Sequence, residues 1–449
     1  MSVRNHRSPS WLKKAKFGIF IHWGLYSVPA WAPMGESYAE WYWWNYNQKN
    51  SSTFDYHHQH FGEQFEYDQF LNLWKPTNFN PDLWLELIDK SGARYYVFTA
   101  KHHDGIALFD TGVTKRSTVH LLNVSYDFVN ELMRKSKADY PHLKRGLYFS
   151  LPEWYHPSYR DESLGWHGPP RNPYTGAVTN YSGSKTINDF VNELQVPQLM
   201  ELTEMHDPDI LWCDIGGIHN SSVWQAQYFN QAMAKNKQVA VNDRCGDGSA
   251  SDFTTIEYKS IIDMPTRFWE ATRGMDPYSF GYNRATKPEE YASSEELIQT
   301  LIDTVAYGGN FLLNIGPDDS GTVPDVMVGR LVDIGNWLHM VDSAIFNTIP
   351  YWIRAKEDEH LRFTASEDGT TVYVFYLRST NDVQQRQQVI KIRTPLPIIS
   401  KGGATIRLLN DRNVTIYWNY STKGDLELHY TNSNLVNTTY ALIFEVKYF

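Results

Sequence analysis

Cysteine is scarce in this sequence, whose 449 residues include only Cys213 and Cys245. Two cysteines exclude a fold that depends on a disulfide scaffold, and their spacing does not match a zinc finger. Long apolar runs are also missing, since no stretch approaches the roughly 18 apolar residues of a membrane span. The opening residues, MSVRNHRSPSW, lack the apolar stretch of a signal peptide. We therefore expect no membrane as a partner and a chain that folds around an ordinary hydrophobic core.

Basic runs are missing too, and the net charge is −10 at pH 7. A nucleic acid is therefore not an expected partner, because its phosphates are bound by clustered lysine and arginine. Hydrophobic side chains are plentiful at 42%, and aromatic ones reach 15% with 16 tryptophans. This content predicts one large domain and a smaller one, each with a core. It also fits a sugar pocket, because the apolar faces of pyranose rings pack well on indole and phenol rings.

Sequons for N-glycosylation are numerous, and they begin at Asn50, Asn123, Asn180, Asn220, Asn413, Asn419 and Asn437. An asparagine-rich chain contains several by chance, but the excess favours a secreted, glycosylated eukaryotic protein. A lysosomal location and a bacterial periplasmic location are the alternatives. Nothing in the pattern specifies an oligomeric state.

Short apolar, β-rich runs alternate with helix-like segments from about residue 10 to 345. The runs are FGIFIHW (17–23), RYYVFTAKHH (94–103), KRGLYFSL (144–151), DILWCDIG (209–216), VAVNDR (239–244), FTTIEYK (253–259), RFWEAT (267–272) and NFLLNIGP (310–317). Between the runs, apolar residues recur at helical spacing from Ile187 to Leu194, and Ser293 with Glu296 forms a capping box. Continuous apolar strands between helices are typical of a parallel sheet covered by helices. Eight such runs predict an α/β fold, a (β/α)₈-like TIM barrel over residues 1–347.

The pattern changes after about residue 348. Segments such as TTVYVFYL, QVIKIRT, VTIYWNY and ALIFEVKYF alternate apolar and polar residues, with turn residues between them. Alternation of this kind is typical of antiparallel strands with one buried face. We therefore predict a C-terminal antiparallel β-sandwich domain over residues 348–449.

Polar side chains gather at the carboxyl ends of the barrel runs, namely His22, His102, His103, Asp104, Asp214, Asn242, Asp243, Arg244 and Glu257. The loops at the carboxyl ends of the strands form the active-site face of such a barrel. A single aspartate at a strand end is more often a helix cap or a loop anchor than a nucleophile. Because these residues share the ends of several strands, the sequence predicts an active site there.

Asp214 is the most suggestive of these residues, because it follows the buried run DILWC. The Ile-Gly-Gly that comes next lets the backbone turn tightly and leaves room for a ligand. In a retaining glycosidase such a carboxylate attacks the anomeric carbon, and a second carboxyl about 5–5.5 Å away transfers protons. Glu257 and Glu270 are available for the second role, and both lie late in their runs.

His102 and His103 have several interpretations. Together with His22 they could form a three-histidine zinc site, or they could be core histidines bonded to backbone. Adjacent residues of a strand point to opposite faces, so chelation by both neighbours is disfavoured. We favour neutral imidazoles that bind sugar hydroxyls, since each ring nitrogen can donate or accept.

Segments spread from about residue 11 to 325 resemble one known family in its own order. They are WLKKAKFGIFIHWGLYSVPAW, YAEWYWW, SGARYYVFTAKHHDGIALFDT, GLYFSLPEWYHPSY, HDPDILWCDIGG, VNDR, DFTTIEY, SFGYN and GGNFLLNIGPDDSGTVP. KHHDG and FGIFIHWG together are highly specific. The chain is thereby similar to the glycoside hydrolase family of α-L-fucosidases, and the resemblance covers the whole predicted barrel.

The resemblance implies a retaining α-L-fucosidase that hydrolyses terminal α-L-fucosyl linkages of oligosaccharides or glycoconjugates through a covalent intermediate. It places the nucleophile at Asp214 and the fucose-binding groups at His22, Glu40, Trp41, His102, His103, Tyr148, Trp212 and Arg244. No metal and no organic cofactor are implied. Two other functions stay open at this point: a retaining glycosidase for a related sugar such as a galactoside, and a catalytically dead sugar-binding protein.

The resemblance places the general acid/base at Glu257, by the members most similar across DFTTIEY and SFGYN. Glu270 follows Trp269 where other members have a Trp-Glu pair, and it is the alternative acid/base, or else it binds substrate or braces the site. Cys213 departs from what many members carry beside the nucleophile. Whether it pairs with Cys245 stays open, because a disulfide requires suitable geometry between their strands.

Overall fold

The computed structural model describes residues 3–161, 163, 165–216, 220–246, 249–258, 265–378, 387–398, 403–431 and 440–448. The barrel begins with strands β1 (Phe17–Ile21), β2 (Tyr95–Lys101) and β3 (Lys144–Ser150). A small antiparallel hairpin comes next, formed by β4 (Arg160–Asp161) and β5 (Trp166–His167). It continues with β6 (Ile210–Asp214), β7 (Ala240–Val241), β8 (Thr254–Glu257), β9 (Trp269–Gly274) and β10 (Asn310–Ile315). All eight predicted runs therefore contain a strand, although that of the run 239–244 is only two residues long.

The eight barrel strands form one parallel sheet in the order β7-β6-β3-β2-β1-β10-β9-β8. Its two end strands meet through a single described bridge between Asn242 and Phe253, which closes the barrel. We call this β7–β8 junction the seam. The predicted (β/α)₈-like barrel is confirmed, and its interior is filled by buried side chains that include Phe20, Tyr95, Val97, Tyr148, Ile210, Trp212, Ala240 and Leu312.

Helices surround the barrel: α1 (Leu12–Ala15), α2 (Tyr42–Tyr46), α3 (Ser52–Phe61), α4 (Pro81–Lys90), α5 (Thr118–Leu121), α6 (Phe128–Asp139), α7 (Val196–His206), α8 (Ser221–Ala234), α9 (Ser294–Ala306) and α10 (Asp325–Ile345). A π-helical turn, Val191–Gln195, runs directly into α7, so helical structure starts close to the predicted position. Gly335 lets α10 approach α4, because a Cβ there would lie 1.8 Å from the Lys90 carbonyl oxygen. Within the described parts of the chain, no helix has the length and apolar character needed to cross a membrane.

The predicted capping box of α9 is half formed. The Ser293 hydroxyl accepts from the Glu296 N–H at 3.1 Å, as an N-cap should. The Glu296 carboxylate does not return to Ser293 but contacts Arg273 Nη1 at 2.8 Å. Helix α9 is thereby connected to strand β9 of the barrel.

The C-terminal strands form the predicted antiparallel β-sandwich. They are β11 (Thr348–Pro350), β12 (Leu361–Ser366), β13 (Thr371–Leu377), β14 (Gln387–Ile392), β15 (Ala404–Leu408), β16 (Tyr417–Tyr420), β17 (Leu426–Thr431) and β18 (Ala441–Tyr448). One sheet has the order β11-β12-β13-β18-β15 and the other β14-β17-β16. Val374 and Phe444 of the first sheet share a buried cluster with Ile390 and Leu428 of the second, as expected for two facing sheets.

The sandwich packs against the barrel through its helices. Arg362 of β12 is buried and pairs with Asp303 of α9. The Thr364 hydroxyl of β12 donates to the Ala344 carbonyl of α10 at 3.0 Å. Because these contacts join the two parts closely, the division at residues 347 and 348 into separate domains stays a prediction.

Candidate active site

The structure brings the predicted site residues together at the carboxyl ends of the barrel strands. His22 follows β1, His102 and His103 follow β2, Tyr148 lies in β3, Trp212 and Asp214 lie in β6, Arg244 follows β7, Glu257 ends β8, and Glu40 and Trp41 belong to a 3₁₀ turn, Ala39–Trp41. The strand ends supply the charged groups, and the loop after β1 supplies Glu40 and Trp41.

Asp214 ends β6, and three neighbours hold its carboxylate. Arg244 Nη1 donates to Oδ1 at 2.8 Å, and the Tyr148 hydroxyl donates to Oδ2 at 2.8 Å. His103 Nε2 lies 3.6 Å from Oδ2. Burial raises the pKa of the Asp214 carboxyl, but Arg244, His103 and Tyr148 together outweigh burial, and the net pKa lies below its usual value. Asp214 is therefore ionised near neutral pH, as a carboxylate nucleophile must be.

The turn after Asp214 differs from the predicted glycine turn. The left-handed residue is Ile215, with φ 51°, a conformation that costs a β-branched residue about 1–3 kcal/mol. Its N–H donates to Asp214 Oδ1 at 2.8 Å. Gly216 has another purpose, because a Cβ there would lie 3.2 Å from the Arg244 carbonyl oxygen. Its missing side chain allows the loop after β6 to approach the loop after β7; Gly217 lies outside the described residues.

Arg244 connects the two predicted catalytic carboxyls. Its Nη1 lies 2.8 Å from Asp214 Oδ1 and 2.5 Å from Glu257 Oε1, which limits the separation of those two oxygens to about 5.3 Å. Its Nε donates to Thr255 Oγ1 at 2.7 Å, which fixes the guanidinium. A separation of this size is compatible with a retaining glycosidase and shorter than the roughly 6.5–9.5 Å of inverting enzymes.

Glu257 has the opposite electrostatic balance from Asp214. Burial raises the pKa of Glu257, Arg244 lowers it and the charge of Asp214 raises it, and the net shift is upward. Two carboxyls whose pKa values are displaced in opposite directions can divide the work, the lower one as nucleophile and the higher one as acid.

Tyr258, the residue after Glu257, is also left-handed, with φ 49°. Its hydroxyl donates to the Ser279 carbonyl at 3.1 Å and accepts from the Gly274 N–H at 3.1 Å. Both predicted catalytic carboxyls are therefore followed by a non-glycine residue in the left-handed region, which redirects the chain immediately after the strand.

The prediction that Glu270 lies late in its strand is wrong. Strand β9 begins at Trp269, and Glu270 pairs with Thr255, two residues before Glu257. Its oxygens accept from the Tyr95 hydroxyl at 2.6 Å and from Trp212 Nε1 at 2.9 Å. Burial raises the pKa of Glu270 to about 7. Of the roles that the sequence left open, this geometry fits a residue that braces the site.

Trp212 lies in the barrel interior and is 1% exposed. Its indole N–H is directed to Glu270, so the structure does not bring that donor to a sugar. Its ring stacks on Tyr148 with centroids 5.7 Å apart, and the Arg244 guanidinium lies 5.0 Å from the ring centroid. Trp212 thus forms a floor beneath two residues that contact Asp214.

His102 and His103 lie beyond the end of β2, so the expectation that they point to opposite faces is wrong. Their ring centroids are 4.1 Å apart. His103 Nδ1 contacts Ser150 Oγ at 2.6 Å, and Ser150 donates to the Pro152 carbonyl, so His103 Nδ1 is the donor and its Nε2 can accept. Burial lowers the pKa of His103 to about 4 and that of His102 well below its usual value. His102 Nδ1 has no partner among the described residues, so a sugar hydroxyl can satisfy it.

His22 is fixed by an asparagine. Its Nδ1 contacts Asn314 Oδ1 at 2.7 Å, and the Asn314 amide donates to the Phe280 carbonyl at 2.6 Å, so Nδ1 is the donor. Burial lowers the pKa of His22 to about 4, which leaves a neutral ring with Nε2 as acceptor.

Glu40 is buried beside the loop that contains Phe280 and Gly281, and its carboxyl accepts from the N–H groups of these two residues at 3.2 and 2.8 Å. Burial raises the pKa of Glu40 to about 8. A protonated Glu40 can donate to one sugar hydroxyl and accept from another.

Trp41 is half-buried, and its ring packs against His103 and Trp154 with centroids 5.4 and 5.3 Å away. Together with Tyr38 and Tyr258 it lines a cavity of about 870 Å³. Asp214 is not among the residues that line this cavity, which begins beside the Glu257 strand. Glu257 does not line it either, and the cavity extends to Thr300 and Thr304 of α9, on the outside of the barrel.

Three residues that sequence reasoning did not assign to the site are Phe280, Asn314 and Ser150. Phe280 offers an apolar face, with its ring 5.0 Å from that of His22 and 5.1 Å from that of Tyr258. Asn314 and Ser150 orient His22 and His103 by hydrogen bonds. Phe280 lies in the segment SFGYN, Asn314 in NFLLNIGP and Ser150 at the end of β3. These positions are the sequence signals that could have identified the three residues as part of the site.

Cys213 and Cys245 form a disulfide, with Cα atoms 4.9 Å apart, which answers the question that the sequence left open. Across the residues that the structure describes, no cluster of three or more His, Cys, Asp or Glu side chains is arranged to hold a metal ion.

Comparison with known proteins gives a consistent result. A family model described as α-L-fucosidase matches residues 1–342. An α-L-fucosidase of Dictyostelium discoideum is 34% identical over 394 residues, which cover 85% of this chain and 80% of that protein. The tissue α-L-fucosidase of Homo sapiens is 30% identical over 389 residues, which cover 84% and 77%.

Solved structures are similar over both parts of the chain. The Thermotoga maritima α-fucosidase in complex with fucose has a TM-score of 0.79 at 31% identity and covers 99% of this chain and 98% of its own. The same enzyme in complex with a mechanism-based inhibitor has a TM-score of 0.80 at 31% identity, with the same coverage.

Proposed function

This chain belongs to the α-L-fucosidase family of glycoside hydrolases, and we propose that it is a retaining exo-α-L-fucosidase. It removes terminal α-L-fucosyl groups from oligosaccharides or glycoconjugates through a covalent fucosyl-enzyme intermediate. The observation that carries the proposal is the pair Asp214 and Glu257, both in contact with one nitrogen of Arg244.

In the first step, an Asp214 oxygen attacks the anomeric carbon of fucose and the bond to the leaving oxygen breaks. Glu257 gives its proton to that oxygen, so the aglycone departs as a neutral alcohol. The raised pKa of Glu257 and the lowered pKa of Asp214 support this division of roles.

In the second step, Glu257 accepts a proton from water, and the water oxygen attacks the anomeric carbon and releases Asp214. The anomeric carbon is inverted twice, so the configuration is retained. Esterified Asp214 carries no charge, so the pKa of Glu257 falls at the moment when a base is needed.

The sugar pocket combines hydroxyl-binding groups with one apolar surface. The free nitrogens of His22, His102 and His103 and the carboxyl of Glu40 bind hydroxyls. The Phe280 ring packs beside the C5 methyl group of a 6-deoxy sugar. A hydroxymethyl group at that position would bring a hydroxyl against an apolar face, which costs binding free energy unless it finds a partner.

We propose that the protein is secreted and glycosylated. The disulfide supports it, because such bonds persist in oxidising compartments. The sequon residues Asn50, Asn123, Asn180, Asn220 and Asn413 are exposed and Asn419 is half-buried, whereas Asn437 lies outside the described residues. Treatment of the secreted protein with an N-glycosidase should lower its apparent mass, and an unchanged mass would contradict glycosylation.

Hydrolysis of p-nitrophenyl α-L-fucoside, followed by nitrophenolate release and by proton NMR, tests the catalytic proposal. The first-formed sugar should be α-L-fucose. The matched control is p-nitrophenyl α-L-galactoside, which differs only by the hydroxymethyl group and should react more slowly. Release of β-L-fucose first would contradict retention, and binding without aglycone release would indicate a sugar-binding protein.

A further inference from the structure

The disulfide lies immediately beside the catalytic groups. Cys213 directly precedes Asp214, and Cys245 directly follows Arg244. Both cysteines are completely buried. One covalent bond therefore links the neighbour of the proposed nucleophile to the neighbour of the arginine that contacts it.

Backbone pairing between β6 and β7 ends before it reaches this level. Its register contains two pairs, Ile210 with Ala240 and Leu211 with Val241. Strand β6 continues through Asp214, although β7 ends at Val241. In a regular sheet, further pairs would keep neighbouring strands about 4.7–4.9 Å apart up to their ends. Here other bonds hold the last residues of β6 next to the loop after β7.

Asn242 supplies two of these bonds. Its Nδ2 donates to the Cys213 carbonyl at 2.9 Å, and its Oδ1 accepts from the Cys213 N–H at 3.0 Å. The disulfide is the covalent member of the same connection. Because Ile215 is left-handed directly after Asp214, this short segment has an unfavourable backbone conformation that the surrounding bonds must maintain.

From this arrangement we propose that Cys213 and Cys245 are positioning residues, whose bond keeps Arg244 at its working distance from Asp214. The inference rests on the proposed function, since it takes Asp214 as the nucleophile. Among the described residues, six ionisable groups interact with Asp214, namely Arg244, His103, Tyr148, Glu257, His22 and Tyr38. Of these, only Arg244 lies on the segment that the disulfide connects to β6. Loss of the bond therefore moves one positive charge away from Asp214 and leaves the other five groups in place.

Two variant pairs remove the bond: Cys213→Ala with Cys245→Ala, and Cys213→Val with Cys245→Ala, which conserves more of the buried volume. On p-nitrophenyl α-L-fucoside, kcat should fall about tenfold to a hundredfold, because a displacement near 1 Å has such an effect, while KM changes little. The acid limb of the kcat/KM profile should move to higher pH. The control is Val374→Ala in the sandwich core, which should lower Tm without changing kcat or the pH profile.

Dithiothreitol gives a second measurement that needs no variant to fold. Reduction transfers two electrons and two protons to the disulfide, and dithiothreitol closes to its cyclic disulfide. Wild-type enzyme shown by alkylation to carry two free thiols should lose kcat, whereas a folded variant pair should be insensitive to the reagent. Unchanged kcat and an unchanged acid limb in the reduced enzyme or in either folded pair would overturn the proposal. Wild-type enzyme that does not hydrolyse the fucoside would contradict the proposed function instead.

Discussion

The protonation state of each side chain in this site determines whether it can donate or accept a hydrogen bond. Burial keeps His22 and His103 neutral, with pKa values of about 4, and keeps a proton on Glu40, whose pKa is about 8. Sugar hydroxyls therefore meet neutral donors and acceptors. In the proposed mechanism, the negative charge of Asp214 is left for the anomeric carbon, where positive charge develops in the transition state.

Replacement of Asp214 tests the nucleophile. Asp214→Gly should fold normally and lower kcat by several orders of magnitude, because no covalent intermediate can form. Added azide should partly restore turnover of an aryl fucoside by entering the vacated space, and NMR should identify a fucosyl azide of inverted configuration. Asp139→Gly, at the exposed C-terminal end of α6, is the matched control and should keep most of the activity. Near-wild-type turnover in Asp214→Gly would sink the assignment.

Replacement of Glu257 and Glu270 separates the acid/base from the bracing residue. Glu257→Ala should nearly abolish hydrolysis of fucosylated oligosaccharides but spare the first step on p-nitrophenyl fucoside, because nitrophenolate departs without a proton. Glu270→Ala should cost about 1–3 kcal/mol of stability, since it leaves the buried Tyr95 hydroxyl and Trp212 N–H without their acceptor. Its preference among leaving groups should match the wild type. The opposite pattern would exchange the two roles.

The pH profile of kcat/KM tests the part that Arg244 plays. Its positive charge lowers the pKa of Asp214 and of Glu257. Arg244→Met should therefore raise both pKa values, which moves the acid limb and the alkaline limb to higher pH. Arg273→Met, which removes an arginine paired with Glu296, is the control and should leave both limbs in place. A profile of Arg244→Met that keeps both wild-type limbs would show that Arg244 does not control these protons.

At the scale of elements, the ends of β6 and β8 share one backbone feature. Ile215 and Tyr258 are left-handed directly after Asp214 and Glu257. Tyr258→Phe removes the hydroxyl that bonds Ser279 and Gly274, and should cost about 1–3 kcal/mol of stability and lower kcat by up to about tenfold. Tyr278→Phe, on an exposed ring of the neighbouring loop, is the control. Equal kcat values for both variants would mean that the hydrogen bonds of the Tyr258 hydroxyl do not position Glu257.

Strand positions were more predictable than strand lengths. The apolar runs located each barrel strand, because strands buried on both faces are continuously apolar. Strand β7 contains only Ala240 and Val241 of its run, since pairing there depends on a neighbour that is distant in sequence. Because β9 begins at Trp269, Glu270 lies deep in the barrel. No local sequence pattern predicted where this strand begins.

The site was predictable where it follows a motif and not where it depends on long-range geometry. His22 and His103 follow their strands and Asp214 is the last residue of β6, at the carboxyl ends of the strands as expected. The left-handed Ile215 has no sequence signal, because a β-branched residue rarely adopts that conformation. The disulfide was undecided because the adjacency of β6 and β7 follows from the strand order and not from the spacing of the two cysteines.

At the scale of the whole molecule, the barrel is closed unevenly. Most neighbouring strands of the barrel share four to six register pairs, as between β2 and β3 or β1 and β10. The described part of the seam has one bridge, between Asn242 and Phe253, and two hydrogen bonds of 2.8 Å between Val241 and Asp252. Arg244 and Glu257 lie on opposite sides of this seam. Their contact is consequently also a contact that holds the barrel closed.

The seam should therefore be the place where the native protein opens first. Amides of β7 and β8 should exchange with deuterium faster than those of β1 to β3, because few hydrogen bonds must break to expose them. Activity should be lost at a urea concentration below that of global unfolding. Coincident loss of activity and of structure would contradict a weak seam. Fucose, which would contact groups on both sides, should slow this exchange, so that the substrate acts as the missing part of the barrel wall.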